Sequence, residues 1–224
     1  DPSNYLCMLH PRINGVVCVS SAVTVNVKDK VRSSIKSNVQ TIYKGHDLTW
    51  YKEPAVDLAS LGSDNSYFNI LCVGSPRTHK GTHILLAAAK ELSDIADLRI
   101  ILVGDKLQHE PFITQIKESG MSERIILPGF RNDVPAIAKG CELLILPSLS
   151  KEGLTRTVLE SLSNGTPVVA SENDGVVETI ENGFNGYLVP IGDSSAIAQK
   201  IRMLYQDRQL LAKLASSATA IIKT

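Results

Sequence analysis

The sequence lacks an excess of either charge and lacks any long apolar segment. Its 224 residues include 23 basic and 23 acidic side chains, so the formal net charge is zero. A general nucleic-acid-binding protein needs a basic excess, and the balance therefore argues against nucleic acid as a partner while allowing one local anion site. No apolar run approaches the roughly 20 residues of a membrane-spanning helix. The polar first residues, with Pro2, do not resemble a signal peptide. We expect a cytoplasmic protein, and peripheral membrane association of a full-length protein stays open.

Motifs for disulfides, metals and nucleophilic catalysis are also missing. No Cys-x-x-Cys spacing occurs among the four cysteines, which are Cys7, Cys18, Cys72 and Cys141. We expect buried free thiols in a reducing compartment. His79 and His83 lie four residues apart, but no third ligand lies near them in sequence. The chain contains no Asp-x-Asp, the usual metal clamp for a nucleotide diphosphate, and no Gly-x-Ser-x-Gly. We therefore expect no metal and no other cofactor.

The pattern of apolar and polar residues changes at about residue 66. Residues 52–66 are polar and rich in turn-forming residues, which predicts a linker or long loop. Before them, a turn followed by a short buried strand is predicted within 14–20, a helix over 20–37 and another short strand at 39–43. After them, strands are predicted at 69–73, 98–103, 125–127, 142–146, 167–170 and 187–189. Helices are predicted at 81–92, 110–119, 133–139, 155–163, 176–181, 194–205 and 208–220. Continuous apolar strands alternating with amphipathic helices predict an α/β domain with a doubly wound, Rossmann-like parallel sheet. We expect two domains, 1–66 and 67–224.

The loop after the first strand of this sheet combines glycines with cations. It runs from Gly74 to Thr82 and carries Arg77 and Lys80 just before a helix. Glycines permit close backbone approach, and a helix N-terminus favours anions. The order Lys80-Gly81-Thr82 is not that of a Walker A loop, and Gly-x-Gly-x-x-Gly is absent. A solvated loop with surface cations is the alternative.

The loop after the fourth strand carries two glutamates around a helix start. Gly153, Leu154 and Thr155 lie where the helix is predicted to begin, so their N–H groups suit phosphate oxygens. Glu152 and Glu160 could each accept hydrogen bonds from the vicinal diol of a sugar, at roughly 1.5–3 kcal/mol per charged bond. Alternatively, Glu152 interacts with the helix dipole and Glu160 is solvated.

Three loops are expected to meet at one edge of the sheet. In open parallel sheets, ligands bind at the carboxyl ends of the strands. The glycine loop and the glutamate loop both follow strands there. The segment 171–178, with the turn Asp174-Gly175, follows the next strand. Together they predict a cleft with cations on one wall and amides and carboxylates on the other.

These motifs occur in an order that resembles a known family. They are Val73-Gly74, Lys80-Gly81, Leu85-Leu86-Ala87-Ala88-Ala89, Leu102-Val103-Gly104-Asp105, Pro128-Gly129-Phe130, Leu146-Pro147-Ser148, Glu152-Gly153 through Glu160, Gly165-Thr166-Pro167-Val168-Val169-Ala170 and Glu178 with Gly183, Gly186 and Leu188-Val189. Over about residues 69–205 the chain resembles the C-terminal, donor-binding domain of the family-4 retaining glycosyltransferases of GT-B fold. Residues 14–51 resemble the end of the N-terminal domain of that family and its linker.

The resemblance implies a metal-independent, retaining transfer of a sugar from a nucleotide-diphosphate donor. It implies Lys80 and Glu152 as the catalytic pair. The donor-binding residues that it implies are Gly74, Ser75, Arg77, Lys80, Glu152, Gly153, Leu154, Thr155 and Glu160. In that set, Lys80 neutralises the diphosphate, Glu160 holds the ribose and Glu152 contacts the transferred sugar. Ser75 departs from the family, which usually has arginine there. Arg156 is an additional cation.

The resemblance also limits what the chain is expected to do alone. It covers the donor half with only the tail of an acceptor half, so we expect donor binding and poor activity in isolation. The base, UDP or GDP, the sugar and the acceptor (a glycan, a lipid or a small molecule) stay open. Two alternatives remain. One is a GT-B epimerase acting on the sugar nucleotide, and the other is a non-catalytic nucleotide-binding or interaction module, for which Ser75 is the main hint.

Overall fold

A computed structural model describes residues 8–150 and 152–221. In that part of the chain, eight strands form two sheets. The strands are β1 Val16–Cys18, β2 Val39–Thr41, β3 Phe68–Val73, β4 Leu98–Val103, β5 Ile125–Ile126, β6 Leu143–Leu146, β7 Val168–Ser171 and β8 Gly186–Val189. Strands β1 and β2 form a small parallel pair. The other six form one parallel sheet in the order β5-β4-β3-β6-β7-β8. This confirms the predicted doubly wound sheet.

Helices cover both faces of the large sheet. They are α1 Ser21–Lys28, α2 Thr82–Glu91, α3 Phe112–Glu118, α4 Val134–Lys139, α5 Arg156–Ser163, α6 Ser194–Gln206 and α7 Arg208–Ala218. One apolar layer contains residues of α2, α3, α6 and α7, and the other contains residues of α4 and α5. The helices α2 to α7 lie within two residues of their predicted bounds, because periodic apolar residues mark the buried face.

The strands alternate their side chains between the two layers. In β3, Phe68, Ile70 and Cys72 join the first layer, whereas Leu71 and Val73 join the second. All but Val73 of these are fully buried. Such burial on both faces is what a parallel sheet covered by helices requires, and each buried Leu or Ile side chain contributes about 1.5–3 kcal/mol. The continuous apolar runs of the sequence follow from this arrangement.

The strand order fixes where a ligand can enter. From β3 the chain moves outward to β4 and β5, then returns to the other side of β3 as β6 and continues outward to β8. The carboxyl ends of β3 and β6 therefore lie side by side where the order reverses. In doubly wound sheets this reversal opens a crevice for ligands. The glycine loop after β3 and the glutamate loop after β6 border that crevice.

The region before residue 66 is more broken than predicted. In place of one helix over 20–37, α1 ends at Lys28 and a 3-10 helix follows at Ser33–Asn38. The backbone of Arg32 is extended (φ −59°, ψ 144°), which separates the two helices. The predicted linker includes another 3-10 helix, Leu58–Leu61, whose Leu58 is buried in the apolar layer beside α4 and α5. The proposed division at residue 66 stays a prediction.

The helix predicted over 176–181 is wrong. Residues 174–179 form consecutive turns, in which the backbone hydrogen bonds of Val177 to Asn173 and of Ile180 to Val176 are too few to make a helix. Asn185 interrupts the helix, because its side chain accepts from the backbone N–H of Glu181 at 2.8 Å and donates to the carbonyl of Thr179 at 2.9 Å. Amide side chains commonly compete with the helix backbone in this way.

Two compositional predictions can be compared with the described residues. Cys18, Cys72 and Cys141 are buried free thiols, as predicted, and Cys7 lies outside the described residues. Burial raises the pKa of Cys72 to about 12, so this thiol stays protonated at neutral pH. Within residues 8–150 and 152–221, every helix is too short or too polar to span a bilayer.

Candidate functional site

An ion pair joins the two loops at the reversal of strand order. The Nζ atom of Lys80, from the loop after β3, lies 2.8 Å from Oε1 of Glu152, from the loop after β6. The Lys80 side chain is 30% exposed and the Glu152 side chain only 6%. The ammonium group has three donors, so a ligand can reach it while one donor remains on the glutamate. The two residues predicted as the catalytic pair are thus in contact.

Hydroxyl groups hold the Glu152 carboxylate in one orientation. Ser148, which is fully buried, donates to Oε1 at 2.6 Å. Thr155 donates to Oε2 at 3.1 Å. The buried side chain of Asn173 in turn donates to the carbonyl of Ser148 at 2.5 Å. Satisfied hydrogen bonds of this kind fix a buried carboxylate and stabilise its charge. Ser148 and Asn173 were not predicted as site residues, although Ser148 belongs to the motif Leu146-Pro147-Ser148.

The loop after β7 packs directly on the glutamate loop. The N–H of Gly175 donates to the carbonyl of Glu152 at 3.1 Å. A Cβ atom at Gly175 would lie 1.9 Å from the carbonyl oxygen of Gly153, so only glycine permits this approach. The prediction that the turn Asp174-Gly175 joins the same rim is confirmed. The contact leaves little room for the loop at Gly153 to move.

The second glutamate lies on the helix that follows the same loop. Glu160 is on α5 and only 6% of its side chain is exposed, so the solvated alternative is wrong. Arg156, one turn earlier, donates from Nε to Oε1 of Glu160 at 2.5 Å, and its own side chain is 72% exposed. A carboxylate accepts hydrogen bonds at both oxygens, so Glu160 retains acceptor capacity beyond Arg156. The additional cation predicted at 156 therefore contacts the second glutamate.

Other predicted donor-binding residues lie around this pair. Gly74 extends β3, and its N–H donates a hydrogen bond to the carbonyl of Val103 at 2.8 Å. The Ser75 carbonyl lies 3.4 Å from the Thr82 hydroxyl. Leu154 packs against the apolar layer beneath α5. Gly153 is covered from above, since the position of a Cβ there lies 3.4 Å from a methyl group of Val19.

Arg77 is the predicted donor-binding residue that lies apart from the ion pair. It is exposed and lines a shallow cavity with His83 and Glu110, between the starts of α2 and α3. Its backbone N–H donates to the Ser75 hydroxyl oxygen at 3.4 Å. The structure therefore brings Lys80, Glu152, Gly153, Thr155 and Glu160 to the rim. It leaves Arg77 on the flank.

A histidine and a tyrosine next to α5 were not anticipated from the sequence. His46 is 5% exposed, and its Nε2 lies 2.6 Å from the hydroxyl of Tyr51. Burial, then the charges of Lys44 and Arg156, lower the pKa of His46. Burial and the charge of Glu160 raise the pKa of Tyr51, and Arg156 opposes that rise. No local pattern in the sequence predicts this pairing.

The fold and site define a Rossmann-like domain of GT-B architecture. The family model described as "Glycosyl transferases group 1" matches residues 56–220. The chain belongs to this family.

Named relatives and solved structures agree with this assignment. The chain is 29% identical over 161 residues to the lipopolysaccharide core biosynthesis glycosyltransferase LpsE of Rhizobium meliloti, covering 72% of this chain and 46% of that protein. It is 28% identical over 181 residues to the UDP-Gal:alpha-D-GlcNAc-diphosphoundecaprenol alpha-1,3-galactosyltransferase of Escherichia coli, covering 77% and 46%. The crystal structure of Anabaena Alr3699/HepE in complex with UDP-glucose superimposes with a TM-score of 0.83 at 30% identity, covering 93% of this chain and 58% of that one. The chain thus spans about half the length of the two curated relatives.

Proposed function

We propose that the chain is the donor-binding half of a family-4, retaining glycosyltransferase. The whole protein would transfer a sugar from a nucleotide-diphosphate donor to an acceptor hydroxyl. The observation that carries the proposal is the contact between Lys80 and Glu152 at the reversal of strand order, with Glu160 eight residues further on. This arrangement offers one cation and two oriented carboxylates at the edge where such sheets bind nucleotides.

Each group has a defined task in this proposal. When the bond between the sugar C1 and the diphosphate breaks, negative charge accumulates on the leaving nucleoside diphosphate. Lys80 and the amides of the loop at Gly153–Thr155 stabilise that charge. Glu152 accepts hydrogen bonds from hydroxyls of the transferred sugar, and Glu160 accepts them from the ribose. Gly74 and Ser75 form the floor beneath the diphosphate, and Arg77 contributes from the flank.

We propose UDP as the nucleotide and charge neutralisation by protein groups alone. The names of the Escherichia coli relative and of the HepE complex include UDP donors, which supports this choice of base. The absence of Asp-x-Asp from the sequence supports metal-independent transfer. A lipid-linked glycan is the acceptor class favoured by the name of the Escherichia coli relative. A full-length protein using such an acceptor would act at the cytoplasmic face of a membrane.

Calorimetric titration with UDP, GDP and ADP, each with and without EDTA, tests the donor proposal. We expect UDP to bind at millimolar concentration or below and EDTA to leave its affinity unchanged. If none of the three binds at millimolar concentration, the site assignment is wrong. If EDTA abolishes binding, metal independence is wrong. We expect no sugar transfer by the chain alone.

Stereochemistry needs the whole protein. NMR of the first product formed from an α-linked UDP-sugar should show an α-linkage. A β-linked first product would contradict a retaining reaction.

A non-catalytic nucleotide-binding module is the second candidate. Ser75 favours it, since it stands where the resembling family usually has a cation and Arg77 lines a cavity to which Lys80 and Glu152 do not contribute. The ion pair of Lys80 with Glu152 opposes it, because a module without chemistry has no need of an oriented carboxylate beside the diphosphate. Turnover by the whole protein separates the two candidates.

A further inference from the structure

The His46–Tyr51 pair lies on the segment that leads from the small sheet to the large one. The imidazole and phenol rings are tilted by 32° with centroids 5.3 Å apart, and Trp50 meets His46 edge-on at 5.6 Å. The hydrogen bond of 2.6 Å between Nε2 and the phenol hydroxyl joins the two polar tips. Three aromatic rings within residues 46–51 thus form one unit.

This unit is connected to the helix that carries Glu160. Tyr51 and Asn164 line the same cavity, of about 270 Å³, between the segment, the start of α4 and the C-terminal end of α5. The Asn164 side chain donates to the backbone carbonyl of Glu160 at 2.8 Å. Leu48 packs against the apolar layer that contains Leu159. Tyr51 and Glu160 are thus related through one shared cavity and the side chain of Asn164.

Electrostatic interactions also indicate that the His46–Tyr51 pair lies close to α5. The charge of Glu160 acts on Tyr51, and the charge of Arg156 acts on both rings of the pair. The charged groups facing the pair are Lys44 from its own segment and Arg156 and Glu160 from α5. Any displacement of the pair would change the environment in which Arg156 contacts Glu160.

The pair is not arranged for maximal stability. The Nδ1 atom of His46 is buried and has no hydrogen-bond partner among the residues that the structure describes. A buried polar atom without a partner is costly, and an apolar residue of similar size would avoid that cost. An imidazole retained here is accounted for if its other nitrogen, Nε2, is needed to hold Tyr51.

We propose that His46 and Tyr51 are positioning residues for Glu160, acting through the segment and Asn164 to fix the carboxylate that binds the ribose. The inference rests on the proposed function, in which Glu160 contacts the donor. It adds a second layer to the site: a hydrogen-bonded pair, distant in sequence from the glutamate motif, that determines how well the nucleoside is held.

Titration of UDP by NMR into the wild-type chain and Tyr51→Phe tests this inference. The variant keeps the ring and loses the hydroxyl, so UDP should bind about fivefold more weakly, the change expected from one lost hydrogen bond. His46→Gln, which retains a hydrogen-bonding group, should bind UDP more tightly than His46→Ala. The matched control is Tyr67→Phe, at the start of β3, where the tyrosine ring lies 3.6 Å from the Arg99 guanidinium. It should bind UDP as the wild type does.

A double-mutant cycle distinguishes positioning from a general loss of stability. In the Glu160→Gln background, Tyr51→Phe should cause no further loss of UDP affinity, because the group it positions is already altered. Equal losses in both backgrounds, or no loss in either, would overturn the inference while leaving the proposed function intact. Failure of the wild-type chain to bind UDP would overturn the proposed function and the inference with it.

Discussion

The backbone of Gly81 lies directly against the carbonyl of Pro147. A Cβ atom at Gly81 would be 1.8 Å from the Pro147 oxygen, and Gly81 has a φ of 66°, in the left-handed region. The contact joins the end of the Lys80 loop to the start of the Glu152 loop. A hydrogen bond from the N–H of Leu149 to the carbonyl of His79, at 2.7 Å, also joins the two loops. The ion pair at the site is therefore built on a close backbone contact between two loops.

Gly81→Ala should destabilise the protein strongly. The added methyl group forces the two loops apart and must adopt a strained backbone conformation, at a combined cost of about 2–4 kcal/mol. Chemical denaturation measures the loss. Gly45→Ala is the matched control, since Gly45 is exposed with no atom within 4 Å of the added Cβ, and it should change stability by less than about 0.5 kcal/mol. Equal stability of the two variants would contradict the close contact.

Glu178 attaches the small sheet region to the large sheet. Its carboxylate accepts from the N–H groups of Ala22 at 2.8 Å and Ser21 at 3.0 Å, and from the hydroxyl of Tyr43 at 2.8 Å. Glu178→Ala should cost about 2 kcal/mol, since charged hydrogen bonds at the start of α1 are lost. Hydrogen exchange should show the amides of Ser21 and Ala22 opening faster. Glu118→Ala, at an exposed position on α3, is the control.

The same carboxylate predicts a pH dependence. Burial acts to raise the pKa of Glu178, but the hydrogen bonds from Ala22, Ser21 and Tyr43 outweigh it and lower the pKa overall. A depressed pKa stabilises the folded state above the unfolded value of about 4.3, and this contribution is lost as the pH falls through the folded value. Wild type and Glu178→Gln should therefore converge in stability at acid pH. A difference that stays constant from pH 7 to pH 3 would contradict this.

His46 predicts a second pH dependence of stability, at higher pH than that of Glu178. Burial, Lys44 and Arg156 lower its pKa, so the unfolded chain binds a proton more readily than the folded one. Stability should then rise with pH through the range just below about 6.5, where only the unfolded state is protonated. His46→Phe should flatten this rise in urea denaturation between pH 5 and pH 7. His109→Gln, at an exposed position, is the matched control, and an unchanged slope in His46→Phe would refute the assignment.

The sequence allowed prediction of the large sheet because its signals are local. Each strand from β3 to β8 is an apolar run that must be buried on both faces, and Gly81 and Gly165 mark where neighbouring elements begin or end. A doubly wound sheet implies a reversal of strand order, and the structure places that reversal between β3 and β6. The contact of Lys80 with Glu152, 72 residues apart, was foreseeable only as two loops on one rim.

The parts that could not be predicted depend on distant contacts. Glu178 bonds to residues 156 and 157 positions earlier, and no spacing in the sequence marks that pairing. The charge of Arg156 that acts on His46 comes from α5, more than 100 residues later. The direction of Arg77 depends on how α3 packs beside α2. The helix predicted at 176–181 was wrong because the side chain of Asn185 competes for its backbone groups.

The central claim is that the rim holding Lys80 and Glu152 binds a nucleotide diphosphate, and calorimetric titration of UDP into the wild type, Lys80→Ala and Lys90→Ala tests it most directly. Lys90 is an exposed lysine near the other end of α2, so its removal makes the same change in net charge away from the rim. A lost charged contact of about 1.5–3 kcal/mol predicts UDP binding about 10–100-fold weaker in Lys80→Ala and unchanged in Lys90→Ala. Equal affinity of all three proteins, or equal weakening by both variants, would contradict the claim.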